Sequence, residues 1–159
     1  MRRRIRGLLL VASTVTAVAT VLVPATASGA STRAEYIAQA DPICAKANKL
    51  GEKQLKGFGK DVLAERWGRA IRRFRVALRV FNREIASLAE LEPPIADAAL
   101  LEEWLAELRR QSPLARRVIR ALKQQSVKLV ARRSGRLVKA SRSTKRLVED
   151  YGFRSCDDS

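Results

Sequence analysis

The side chains with the most chemical potential are two cysteines, Cys44 and Cys156, and a large population of arginines. A pair of thiols can close a disulfide, hold a metal or supply a nucleophile. Metal sites and thiol or hydroxyl nucleophiles commonly recruit histidine as ligand or base, and this chain contains none. The expectation is a protein that is not an enzyme and takes no cofactor and no metal. The adjacent carboxylates Glu102–Glu103 and Asp157–Asp158 diverge if helical, because neighbours one position apart do not share a face. They read as solvated acidic surface. The stretch Gly57-Phe58-Gly59-Lys60 lacks the spacing and the preceding strand of a phosphate loop, and reads as a plain loop.

Arginine carries the remaining lead. Between Leu108 and Val148 stand Arg109, Arg110, Arg116, Arg117, Arg120, Arg132, Arg133, Arg136, Arg142 and Arg146, together with four lysines and no acid. Between Glu84 and Leu108 the order reverses: Glu84, Glu90, Glu92, Asp97, Glu102, Glu103 and Glu107 occur without a single Lys or Arg. Arg66, Arg69, Arg72, Arg73, Arg75, Arg79 and Arg83 add a further basic stripe. A planar guanidinium can hold two phosphate oxygens at once, so the ten arginines are the candidate anion-binding residues. The expected partners are anionic lipid headgroups or a phosphate-rich cell-wall polymer. Nucleic acid fits less well, because no aromatic interleaves with the basic run to stack bases, and Trp67 and Trp104 fall in apolar stripes. The competing readings are a merely hydrated arginine face, and a protein–protein module of the cell envelope that uses the acidic turn or the fourth helix.

The N-terminus supplies the compartment. Arg2, Arg3, Arg4 and Arg6 precede an uncharged apolar run from Gly7 to Val23, followed by Pro24 and small residues. This is the order of a signal peptide, with cleavage expected after Ala27 or Ala30; a retained anchor helix is the alternative. Loss of those four arginines leaves 28 basic residues against 16 acidic ones, a net charge of +12 on a domain over residues 31–159. A secreted or extracytoplasmic location favours a Cys44–Cys156 disulfide over free thiols.

The elements that must position these residues read as helices throughout, since Ala, Leu, Arg and Glu dominate and β-branched runs are short. The first helix is expected over residues 32–57, with Thr32 and Glu35 at capping-box spacing. Pro42 should kink or restart it with Asp41 as cap. The second, over 61–91, starts at Asp61 and carries Leu63, Trp67, Ile71, Phe74, Leu78, Phe81, Ile85 and Leu88 at three- and four-residue steps. A third over 97–124 has a kink expected at Pro113. A fourth over 127–151, ended by Gly152, has Ser134, Ser141 and Thr144 where aliphatics would strengthen a core. Four such helices with short links predict an all-α, up-down-up-down four-helix bundle, with Phe153 and Cys156 folding back over it.

Several short motifs also look familiar. Tyr36 to Asp41 leading into Ile43-Cys44, Leu88 to Leu91 before Pro93-Pro94, Trp104-Leu105, and the tail Tyr151-Gly152-Phe153-x-x-Cys156 resemble an uncharacterised family of small secreted actinobacterial helical proteins. The resemblance implies export, a helical bundle and one disulfide, and brings no catalytic or ligand residues. Pro42 and the high basic charge depart from the family pattern.

Overall fold

Thr32 opens the first helix by the box its spacing predicts: its hydroxyl accepts from the Glu35 amide at 3.3 Å, and its own amide donates to Glu35 Oε2 at 2.8 Å. The computed structural model describes residues 31–157. The expected signal peptide, its cleavage positions and the possible anchor, as well as Asp158, lie outside the described residues. Among the described residues there is no strand, and the order is α1 (Arg33–Leu55), α2 (Phe58–Leu63), α3 (Trp67–Ala89), a 3-10 turn (Ile95–Asp97), α4 (Ala98–Lys123) and α5 (Val127–Leu147). The four long helices form the expected disulfide-closed bundle. α1 packs along α3, α3 along α4 and α4 along α5.

Neither proline interrupts its helix. α1 runs through Pro42 and α4 through Pro113, both on exposed positions. Asp41 is therefore not a cap. Its carboxylate instead accepts from the amides of Arg154 and Ser155, tying the tail to α1. The stretch Gly57–Lys60, expected as a loop, and the single helix predicted over 61–91 with Asp61 as cap both differ in the structure: α2 already starts at Phe58 after Gly57 at φ 80°, Asp61 lies inside it, and the chain turns at Ala64–Arg66, with Glu65 at φ 53°, before α3. Leu63, expected in the apolar stripe, ends α2 and is exposed. The fourth helix stops at Leu147, earlier than expected; Gly152 sits in the following turn at φ 100°, a left-handed conformation that side-chain-bearing residues rarely adopt.

The core has two halves. At the disulfide end, Tyr36, Cys44, Leu88, Leu101, Trp104, Val148 and Tyr151 are buried together with Phe153. The rings of Trp104 and Phe153 stack with centroids 5.2 Å apart, so the aromatic tail fills the end of the bundle. At the other end, Phe74, Val118, Leu122 and Val130 pack α3, α4 and α5 together. Cys44 and Cys156 are joined, with sulfurs 2.06 Å apart and a sequence separation of 112. In the chain-entropy description a loop of that length removes about 4–5 kcal/mol from the unfolded state.

Candidate anion-binding site

The α4–α5 hairpin is built from small and aliphatic contacts. Ala115, Val118, Ala121 and Leu122 of α4 recur at helical spacing and meet Leu129, Val130 and Leu137 of α5. Because these residues consume the inner faces, the arginines between them are left on the outer one. Gln124, Gln125 and Ser126 reverse the chain; Gln125 takes φ 52°, and Ser126 Oγ caps α5 by accepting from the Leu129 amide at 3.3 Å. The antiparallel return sets Arg117 and Arg120 at the end of α4 beside Arg133 near the start of α5.

Arg117, Arg120 and Arg133, with Gln124, line a depression of about 180 Å³ whose base includes Ala121 and Leu129. Arg133 is half-buried. Its pKa is lowered from 12.5, first by desolvation and then by repulsion from Arg132, Arg136, Arg117 and Arg120. Five guanidinium groups thus share one patch. Among the described residues, none of the five has a carboxylate within 4.0 Å.

Other arginines show what a structural role looks like in this protein. Asp61, 2% exposed, accepts from Arg66 Nε and from Arg73 Nε at 2.8 Å each, with Arg69 3.9 Å away. Burial alone would raise the Asp61 carboxyl, but the hydrogen bonds and charges of Arg66 and Arg73 outweigh it and hold the pKa below 3.8. Arg73 also donates to the Lys56 carbonyl at 2.8 Å, fastening the turn after α1. Three of the stripe of arginines on the second predicted helix are therefore fixed to one buried acid.

The acidic turn is likewise partly committed. Arg33 donates to both oxygens of Asp97, at 2.9 and 2.6 Å, and the Tyr151 hydroxyl donates to Asp97 at 3.1 Å. Asp97 is lowered below 3.8, chiefly by the Arg33 hydrogen bond working against burial. Glu84 is buried and is not free.

Of the ten candidate arginines, the structure gathers Arg117, Arg120, Arg132, Arg133 and Arg136. Arg142 and Arg146 lie in a different depression, shared with Lys145, Glu149 and Asp157. Arg110 pairs with Glu107 one turn away, and Arg109 and Arg116 are exposed outside the pocket. Gln124 is the member that sequence reasoning missed. The signal was present: positions 117, 120, 121 and 124 share a face of α4, as 129, 133 and 136 do on α5. Both cysteines are consumed in the disulfide, and among the described residues no group of His, Cys, Asp or Glu could hold a metal ion. No described helix is long and apolar enough to cross a membrane.

No family model, curated protein or solved structure matches this chain. Function is to be read from the residues and their placement.

Proposed function

We propose that this protein is an exported, non-enzymatic binding module of the cell envelope, which holds phosphate-bearing anions of lipid headgroups or wall polymer on the hairpin arginines. One observation carries the reading: five guanidiniums share a patch without a neutralising carboxylate, while Arg33, Arg66 and Arg73 elsewhere are each fixed to an acid. Confining like charges stores repulsion that an incoming anion relieves. Arg117, Arg120 and Arg133 would form the centre of the site, with Gln124 as a neutral donor and Arg132 and Arg136 extending it along a polymer. The arginine-rich start followed by the Gly7–Val23 apolar run supports export.

The alternative module built on the acidic turn loses Asp97 and Glu84 to internal contacts, which favours the basic site. The deciding experiment is binding of the oxidised protein to vesicles containing phosphatidylglycerol and to a poly(glycerol phosphate), over a range of salt. Retention that weakens with salt and with Arg117→Gln/Arg120→Gln/Arg133→Gln supports the site. Retention indifferent to both removes it.

A further inference from the structure

At about 180 Å³ the depression between α4 and α5 is smaller than the ~300–1,000 Å³ pockets that take whole small molecules, so it fits a headgroup. Buried Ala121 and half-buried Leu129 form its floor, and Arg117, Arg120, Gln124 and Arg133 its walls. A floored depression has one mouth. A phosphate inside a diester must lead two substituents out through that mouth, whereas a terminal phosphate leads out one.

Charge and donor count point the same way. Three guanidiniums line the space, each able to hold two oxygens. A diester offers two unesterified oxygens and a single charge. A monoester offers three acceptor oxygens and a charge of about −1.5 to −2 at pH 7, because its second proton leaves near pH 6. It can therefore be shared among three forks, and it neutralises more of their charge. The charges acting most on Arg133 are four other arginines, so the patch has positive charge to spare for a dianion.

Building on the phosphate binding proposed above, we infer that this pocket selects terminal phosphate monoesters over phosphodiesters, with Arg117, Arg120 and Arg133 holding the free oxygens and Gln124 adding an amide donor. The selection has its own pH signature. The hairpin contributes arginines, Lys123 and Lys128 around the pocket, and no acid stands between Leu108 and Val148. α2, the start of α3 and the turn between them belong to the same half of the molecule and bring Lys60, Asp61, Glu65 and further arginines; Asp61 is already held by Arg66 and Arg73. Lysine, arginine and carboxylate groups ordinarily titrate outside the range from about pH 5 to pH 7, and the chain has no histidine. A change of affinity across that range therefore reports the ligand's second proton.

The test is an NMR titration of the oxidised protein, following the arginine Nε–H signals, with glycerol 3-phosphate as the monoester and diethyl phosphate as the diester. Glycerol 3-phosphate is expected to bind about tenfold more tightly or better at pH 7, and to weaken several-fold by pH 5, where a group of pKa near 6 is about nine-tenths protonated. Diethyl phosphate should show no such pH dependence. Arg117→Lys/Arg120→Lys/Arg133→Lys keeps the charge and removes the forks, so it should cut the monoester's advantage several-fold, and an unchanged Tm separates that loss from unfolding. Vesicles of phosphatidic acid and of phosphatidylglycerol, matched in surface potential, carry the comparison to a membrane. Stronger retention on phosphatidic acid supports the selection with a lipid as source; glycerol 3-phosphate binding without such retention supports it with a soluble ligand or a polymer end. Equal or tighter binding of the diester, or a monoester affinity that is flat from pH 5 to pH 7, overturns the selection. The proposed function survives that outcome if retention on phosphatidylglycerol still depends on the three arginines. Retention on neither vesicle, with arginine signals unmoved by either ester, removes both.

Discussion

The Asp41 carboxylate accepts a hydrogen bond from the Ser155 amide at 2.9 Å, joining α1 to the tail one position before the second cysteine. Asp41 also accepts from the Arg154 amide, and Asn48 donates to the Ser155 carbonyl at 2.9 Å, so residues of α1 on either side of Cys44 hold the tail just before Cys156, apart from the covalent bond. These contacts hold Cys156 beside Cys44.

Asp41→Ala should therefore destabilise the oxidised protein by about 1–2 kcal/mol, the usual range for a lost hydrogen bond to a charged group at a partly exposed site. Reduction of the disulfide by dithiothreitol should also accelerate, since the tail detaches more often. Denaturant titration and thiol-release kinetics measure the two effects.

Removing the bond itself has a larger effect. Cys44→Ala/Cys156→Ala should cost about 4–5 kcal/mol, a large share of the stability of a domain this size. Mass spectrometry of the exported, unreduced protein should show two hydrogens fewer than the thiol form, and an N-terminus at Ser28 or Ser31. Full-length chain in the cytoplasm with both cysteines alkylatable would refute export and pairing together.

Acid should unfold the protein through Asp61 and Asp97. Both carboxyls have folded pKa values below 3.8, so their contribution is present above about pH 3.8 and is lost as pH falls through the lower folded values. Thermal melts from pH 6 to pH 2 should show Tm dropping steeply below that point. Asp61→Ala should lower Tm at neutral pH by on the order of 10 °C, because three arginines lose their buried partner. The Asp61→Ala profile should also be flatter in acid than the wild type.

Alkali acts on Tyr151 with the opposite sign. Burial and the Asp97 carboxylate push the phenol from 10.0 up to about 12, so its contribution is whole below pH 10 and is lost as pH rises through about 12. Spectrophotometric titration at 295 nm should find one phenol ionising near pH 12, and Tyr151→Phe should remove it.

For the hairpin arginines, each guanidinium engaged with a phosphate should add close to one to the slope of log affinity against log salt. Arg117→Gln/Arg120→Gln/Arg133→Gln should lower that slope by about three, and Arg142→Gln/Arg146→Gln by less than one, although the second variant still removes two charges against the first variant's three. Effects in proportion to the three and two charges removed would mean that total charge, and not the pocket, governs binding.

Much of the fold was legible because it is written in local rules. The Thr32–Glu35 box, the three- and four-residue recurrence from Ile71 to Leu88, the Pro93-Pro94 stop and the Tyr151 to Cys156 return all describe neighbours along the chain. The split at Glu65 was hidden because Asp61 has the chemistry of a cap, and only folding shows that it is buried against Arg66 and Arg73. Pro42 misled in the same way. Its disruption is a property of an isolated helix, whereas here tertiary contacts of Asp41, Cys44 and Asn48 hold the surrounding turn in place.

By itself the sequence determined an all-helical chain, the cysteines available to close it, and a surplus of arginine, since composition and periodicity act over a few residues. Only the tertiary structure decided which arginines are spent. A side chain's charge is the same wherever it stands, but whether it meets Asp61, Asp97 or four other guanidiniums depends on which helix faces are brought together, and that is a long-range outcome of packing.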